Sequence, residues 1–533
     1  MKIKIFILIQ LLLLAYQAVT GQETPVEKGL RAITPDVITA QMGFLASDWM
    51  EGREAGEKGE YLAGDYIASM LQLYGVKPGG DNPRIRGYMQ SQQASGRTYF
   101  QNITLLKTTP GDEQTLKLKT IEGSAITTTS FESNIDFFIR SQEKSIEKEA
   151  PVIFAGYGFK NDKLKYNDFR SLDVKGKFIL KISGVPGFAR EKLTPEELSA
   201  SARETENMLR NSGAAGIIEF NLSTTTVGTQ PLPAFLNMAP SESRQWPGGR
   251  YARYTIPGTT DREEVTRILI SERAARQILR GTSTKLDEYL KNAESGKPGT
   301  FPALTSRTIY VRSNVITAAV QVRNVIGIIE GNDPDQIIVI GAHYDHEGIA
   351  NGYIWNGADD NASGTVGVLT LAKAIMETGI KPEKTIIIAL WTAEEKGLLG
   401  SRYYVDNLVF PLENLRLNVN FDMISRYVSD DQPEMVTMTY TSRCPEFREL
   451  TENNLLKHGI KLKIVYEASS DPPGGSDHRS FVAKGVPVMR FKPGHREEYH
   501  TPDDEISTVD WDIMEKIIRI SFANVWELAN SEW

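Results

Sequence analysis

The side chains in this chain that could do chemistry fall in a set of short motifs in its C-terminal part. His343 and Asp345 lie in Gly341-Ala342-His343-Tyr344-Asp345, and Asp360 opens Asp360-Asn361-Ala362-Ser363-Gly364. Glu394-Glu395, Asp422 and Tyr499-His500 follow in that order, each after an apolar run. Imidazole nitrogen and carboxylate oxygen are zinc ligands, and two zinc ions roughly 3.5 Å apart need one carboxylate that reaches both. His343, Asp360, Glu395, Asp422 and His500 supply enough such groups for two Zn2+ per chain. In a strand-to-loop segment neighbouring side chains point in different directions, so Glu395 can hold metal while Glu394 faces a bound water. A carboxylate placed there can take the water's proton and later pass it to a leaving amine.

Each of these residues also has a plainer reading. Asp360-Asn361 could cap a helix beginning near Ser363, and Glu394-Glu395 could cap the turn at Gly397. The histidines weigh against that. Of six in the chain, four (His343, His346, His478, His500) stand in or beside acid-rich motifs rather than inside apolar runs. Asp345 is placed to accept a hydrogen bond from the second ring nitrogen of His343, fixing its tautomer from behind. His346 has no evident role and is assigned to solvent or the rim of the site.

The elements that must position these groups follow from the apolar pattern. Residues 337–340, 385–391, 415–421 and 486–491 read as continuous, buried strands, with helical periodicity at 363–376 and 509–528. Fully apolar strands belong in a parallel or mixed sheet covered by helices on both faces, so an α/β fold is predicted. The acids and imidazoles fall at the carboxyl ends of those strands, where open α/β sheets bind ligands. Further upstream, Thr34-Pro35 reads as a helix start and a second helix is expected over 61–73. From Ala150 the texture changes to short β-type runs at 151–155, 177–181 and 216–220, with a helix expected over 208–215: a small β-rich module inside the larger frame.

Length and composition bound the rest. At 533 residues, two or three domains are expected, and 40% apolar with 24% charged residues places the chain among globular proteins. A formal charge of −8 without a basic stripe argues against nucleic acid as a partner. Lys2 and Lys4 precede an apolar stretch at 5–15, and Val19-Thr20-Gly21 offers small residues for cleavage, so residues 1–21 read as a secretory signal peptide. The expected product is exported, periplasmic or secreted, with no stable membrane insertion after cleavage. Cys444 is the sole cysteine, which leaves no lipoprotein attachment point and no internal disulfide.

Taken together, His343-x-Asp345, Asp360-x-x-Ser363-Gly364, Glu394-Glu395, Asp422 and Tyr499-His500-Thr501 resemble the motifs of peptidase family M28. These are co-catalytic di-zinc exopeptidases that include secreted bacterial aminopeptidases and glutamate carboxypeptidases. The resemblance implies a three-layer zinc-exopeptidase fold (phosphorylase/hydrolase-like) with a mixed β-sheet and helices on both faces. It implies that Asp360 bridges two zinc ions, with His343 and Asp422 on one and Glu395 and His500 on the other. Glu394 would be the general acid/base, Tyr499 would stabilise the oxyanion, and the Asp360–Asn361 peptide would be cis. Gly475-Ser476-Asp477-His478 corresponds to a Ser-Asp-His segment near the family's substrate pocket; Asp477 and His478 either touch substrate or support the loop, and support is the reading taken. Residues 151–158, 172–177 and 214–218 are similar to a protease-associated domain. The implied layout is a peptidase domain over 22–125 and 315–533, interrupted by that module over 126–314. Leu45-Ala46-Ser47-Asp48 and Glu51-Gly52-Arg53 are similar to the family's N-terminal helix and following loop.

The function that the resemblance implies is an aminopeptidase acting on peptide substrates through a metal-bound hydroxide. A carboxypeptidase or dipeptidase uses the same site with a differently charged pocket. Glutaminyl cyclases share the fold with one zinc, and a receptor-like relative keeps the architecture without a working site; the full ligand set and base here argue for catalysis. Side-chain specificity, oligomeric state and native metal are left open.

Overall fold

The computed structural model describes residues 23–533 apart from 83–95, 141–143, 171, 223–251, 260–264, 298–300, 302–303, 305, 351, 430, 433–434, 493 and 495. The signal peptide read over 1–21 lies outside the described residues. The chain divides into two compact units, residues up to 105 together with 320–533, and 106–319.

The first unit is built on a mixed sheet. Its strands are β1 (Arg307–Ile329, of which 320–329 belong here), β2 (Asp333–His343), β3 (Lys384–Trp391), β4 (Leu415–Phe421), β5 (Met435–Thr441), β6 (Lys463–Ser469) and β7 (Val488–Lys492), in spatial order β6-β5-β7-β4-β2-β3-β1. The pairs β2–β3, β2–β4, β4–β7 and β5–β6 are parallel, whereas β1–β3 and β5–β7 are antiparallel. Every residue of β3 is buried, as a strand covered on both faces requires.

Alternation along the strands divides the core between the two faces. Ile338, Ile340, Ile386, Ile388, Leu417 and Val419 face α1 (Pro25–Ala32), α2 (Pro35–Leu45), α3 (Lys58–Leu73), α4 (Gly364–Glu377), α6 (Glu446–Lys457) and α8 (Trp511–Asn530). Ile337, Val339, Ile387, Ala389 and Trp391 face α5 (Leu399–Asp406) and α7 (His478–Val482) through Tyr404, Val405 and Phe481. Each fully buried Ile or Leu here contributes about 1.5–3 kcal/mol of transfer free energy. The result is a three-layer α/β unit. Thr34 caps α2 by accepting from the Val37 amide at 3.3 Å, with Pro35 at the first helical position.

The second unit contains strands in the order Ile146–Phe154, Phe178–Ile182, Gly216–Phe220, Arg267–Ile270, Phe137–Ile139; the first four run parallel to one another and the last is antiparallel to the fourth. Phe154, Phe178, Ile218, Ile268 and Tyr289 form its core. One expectation is corrected here. The helix read over 208–215 lies upstream, at Pro195–Arg210, and 211–215 form the turn into the next strand. The overlooked signal was Thr194-Pro195-Glu196-Glu197, a capping box in which Thr194 and Glu197 satisfy each other's backbone amides. Gly213, at φ +69°, then supplies the left-handed residue that ends the turn. Among the described residues no helix is long and apolar enough to cross a membrane.

Candidate metal centre and cleft

Because β2 lies between β3 and β4 and runs parallel to both, their carboxyl ends open side by side. His343 is the last residue of β2, Glu394-Glu395 follow β3, and Asp422 directly follows β4. The loops are pinned together by backbone hydrogen bonds. The amides of Glu394 and Glu395 donate to the two carboxylate oxygens of Asp345 at 3.0 and 3.3 Å. Asp345 therefore supports the site, but by a different contact from the one expected: it is its main-chain oxygen that lies 3.2 Å from His343 Nδ1, with its carboxylate 3.8 Å away.

Asp360 comes from an irregular turn over Ala358–Ser363 before α4, and the Asp360–Asn361 peptide is cis, as the resemblance implies. Capping of α4 falls to Asn361, whose Oδ1 accepts from the amides of Gly364 at 2.9 Å and Met423 at 3.2 Å. The Asp360 carboxylate is thus left for other work. Asp504 fixes its backbone: the two Asp504 oxygens accept the amides of Asp359 and Asp360, each at 2.9 Å. Gly357, at φ +55°, opens this turn, and a Cβ there would lie 2.0 Å from the Asp360 carbonyl oxygen. Only glycine permits that approach. Arg53, fully buried, holds the turn from the other side by donating to the carbonyls of Tyr344, Leu45, Asn356 and Gly357.

The side chains converge. His343 Nε2 lies 3.4 Å from Asp360 Oδ1, 3.5 Å from Asp422 Oδ1 and 3.9 Å from Glu394 Oε2. His500 Nε2 lies 3.0 Å from the other Asp360 oxygen, Oδ2, and 3.2 Å from Glu395 Oε1. The two oxygens of Asp360 therefore face two separate groups, His343 with Asp422 and His500 with Glu395. Tetrahedral zinc with bonds of about 2.1 Å separates its ligand atoms by roughly 3.4 Å, so both groups fit a metal ion in spacing and donor type. His343, Asp360 and Asp422 form one set with all ligand atoms within 4.8 Å; His346, Asp360 and Glu395, and Glu347, Glu395 and His500, form two more.

His346 is consequently not a rim residue. It is fully buried, its Nδ1 lies 2.9 Å from Glu395 Oε1, and its ring meets that of His500 edge-on. A short parallel bridge between Glu54 and His346 and a bond from the His346 amide to the Arg53 carbonyl at 3.1 Å set the backbone that turns it inward.

Electrostatics mark the same groups. Burial pushes the Glu394 carboxyl well above its ordinary range, and Glu395 adds to the rise against the opposing pull of His343. Burial would raise Glu395 too, but His500 and His346 override it and hold that carboxylate well below its usual range. Burial pulls His500 down, yet Glu395 and Asp360 lift it to about 11. Protons held this tightly between clustered acids are those that a bound cation displaces.

The cluster forms one wall of a cleft of about 380 Å³ that is also lined by Tyr499, Arg490, Lys492 and the 474–476 loop. Tyr499 is 38% exposed and its ring stacks on His500, centroids 3.9 Å apart. Asp477 and His478 are both fully buried and stand behind the lining. Arg53, His346 and Asp504 belong to this centre without a sequence signal that marks them. Arg53 stands in a loop whose similarity assigns it no role, and nothing in the sequence separates Asp504 from the other acids of the 497–505 stretch.

A profile described as peptidase family M28 matches residues 324–525. Leupeptin-inactivating enzyme 1 of Streptomyces exfoliatus is 32% identical over 172 residues, 31% of this chain and 34% of that protein. Leucine aminopeptidase 2 of Trichophyton equinum is 33% identical over 186 residues, 34% of this chain and 35% of that protein. The match thus spans about a third of the length of these curated relatives. Among solved structures, an aminopeptidase from Aneurinibacillus sp. strain AM-1 shares the fold over 95% of this chain and 97% of its own, with a TM-score of 0.56 at 18% identity.

Proposed function

We propose that this protein, whose residues 324–525 match the model of peptidase family M28, is an exported, zinc-dependent exopeptidase that removes N-terminal residues from peptides. The observation that carries the reading is the division of the Asp360 carboxylate, one oxygen toward His343 and the other toward His500. His343, Asp360 and Asp422 would hold one zinc, and Asp360, Glu395 and His500 the second. Two zinc ions bound there would polarise a peptide carbonyl and acidify a water molecule.

The chain's own groups would handle the protons. Glu394 stands beside His343 at 3.9 Å in the wall of the cleft, and its raised proton affinity suits a group that accepts a proton from the attacking water and returns it to the leaving amine. Tyr499 is placed over His500, where its hydroxyl would donate to the oxyanion of the tetrahedral intermediate. Asp345 and Asp504 hold the two loops in register, and His346 orients Glu395. The module proposed over 126–314, read as a protease-associated domain, supplies none of these groups.

Aminopeptidase activity is favoured by the similarity to leucine aminopeptidase 2, with attack from the other end kept as the alternative by the similarity to a glutamate carboxypeptidase 2 homolog of Caenorhabditis elegans. The test is a panel of aminoacyl, peptidyl and N-acetylated chromogenic substrates, with and without a chelator. Cleavage abolished by acetylation and by chelation is expected. Cleavage of peptides blocked at both ends would sink the exopeptidase reading.

A further inference from the structure

Strand β7 sends its side chains alternately to two places. Met489 and Phe491 enter the apolar core, while Arg490 and Lys492, two residues apart and therefore on the same face, line the cleft beside the metal centre. Arg490 is only 6% exposed, and among the described residues its Nε has no hydrogen-bond partner. Its Nη1 lies 3.1 Å from His478 Nδ1. His478 Nε2 lies 3.0 Å from the Pro473 carbonyl and so carries the ring proton, leaving Nδ1 as a neutral acceptor that brings no charge to the arginine. Gly474, at φ +117°, lets the loop pass so close that a Cβ there would stand 2.7 Å from Nη1.

Among the described residues no carboxylate lies within ion-pair distance of either cation. Asp422, Glu394 and Glu467 act on Arg490 only at longer range, and the side chain of Lys492, half-buried, makes neither a hydrogen bond nor an ion pair among the described residues. A buried guanidinium with an unused donor at the wall of a cleft is costly unless something anionic comes to it. Of the other arginines near the motifs, Arg426 is bonded to Thr508, Arg479 pairs with Asp471 and Arg496 stacks on Tyr427, so Arg490 is the one turned to the cleft. The four carboxylates of the cleft, Asp360, Glu394, Glu395 and Asp422, would be balanced by two Zn2+ in the reading above. Arg490 and Lys492 would then remain as uncompensated positive charge.

We propose that Arg490 and Lys492 form an anion subsite that binds a substrate carboxylate, so that the cleft selects acidic substrates; this rests on the peptidase reading given above. The carboxylate has two chemical sources, the side chain of an N-terminal Glu or Asp, or the free C-terminus of a dipeptide. A guanidinium and an ammonium converging on one carboxylate give charge-assisted hydrogen bonds that a neutral amide of the same shape forms only weakly.

The test uses matched pairs with the zinc-loaded full chain. Glu-p-nitroanilide against Gln-p-nitroanilide reads the side-chain source, and Leu-Ala against Leu-Ala amide reads the terminus. In at least one pair the acid should be favoured in kcat/KM by about tenfold or more, the scale of a hydrogen bond to a charged group. Arg490→Gln should bring that ratio close to one, and Lys492→Gln, at a half-buried position, should lower it. Ratios near one in the wild type, or a preference kept in both variants, would overturn the subsite. So would an equal loss for both members of a pair, the result expected if Arg490 merely balances Asp422. Equilibrium binding of the same four compounds to Glu394→Gln, with and without Arg490→Gln, supplies a readout that needs no turnover: an acid preference lost with Arg490 supports the subsite, and equal binding overturns it. Should the wild type cleave none of the four, neutral members included, the peptidase reading fails while the binding arm still decides the subsite.

Discussion

Asp504 accepts the backbone amide of Asp360 at 2.9 Å through one oxygen and that of Asp359 through the other, across 144 and 145 residues of chain. This bond orients the Asp360 backbone so that both carboxylate oxygens are turned to the two histidines. Asp504→Ala would leave two buried amides without acceptors, a cost of about 1–3 kcal/mol each. Zinc affinity is expected to fall by about 10–100-fold, the usual scale for loss of a group that orients metal ligands. Competition with a chromogenic chelator measures it, and unchanged affinity would show that Asp504 is dispensable.

Glu394 and Asp360 should separate chemistry from binding. Glu394→Gln is expected to retain its zinc while kcat drops by at least about 10²-fold. Asp360→Ala should lose metal outright, because its two oxygens serve both groups. Elemental analysis and steady-state kinetics on the purified variants decide this; full zinc occupancy in Asp360→Ala contradicts the bridging role.

His346 and His500 both reach Glu395 Oε1, at 2.9 and 3.2 Å, but only His500 also lies at hydrogen-bond distance from Asp360. His500→Ala should therefore remove one zinc per chain. His346→Ala should keep both, with affinity weakened by about tenfold. The reverse pattern would move the ligand role to His346.

Glu60 provides a pH test away from the metal. Burial pushes its carboxyl up from 4.5 to about 8, although it accepts from the Gly56 amide and the Thr392 hydroxyl. An acid whose folded-state proton affinity is raised stabilises the fold fully below about 4.5, and that contribution is lost as pH climbs through about 8. Each tenfold change in proton affinity corresponds to about 1.4 kcal/mol. Glu60→Gln should thus gain Tm relative to wild type as pH rises from 5 to 8. Scanning calorimetry of both proteins under identical zinc conditions reads the difference, in which metal linkage cancels; a constant offset would refute the assignment.

The parts of this centre that could be read from the sequence are those whose physics is local. A continuous apolar run such as 385–391 must be a strand covered on both faces, and polar residues just beyond it must emerge at the strand's end, so Glu394, Glu395 and Asp422 could be placed with their neighbours before any fold was seen. Thr34-Pro35 named its helix start for the same reason, since a cap needs only residues a turn away. What only the tertiary structure decided are contacts between segments far apart in sequence. Arg53 reaches carbonyls up to 304 residues away, and Asp504 finds amides on another loop. His346 looked like a solvent residue among charges until the Arg53 loop bent its backbone inward, and Arg490 was one arginine among several until β7 turned it to the cleft. A side chain's type and spacing state what it can bind, but its direction depends on backbone registers set by partners that share no local pattern with it.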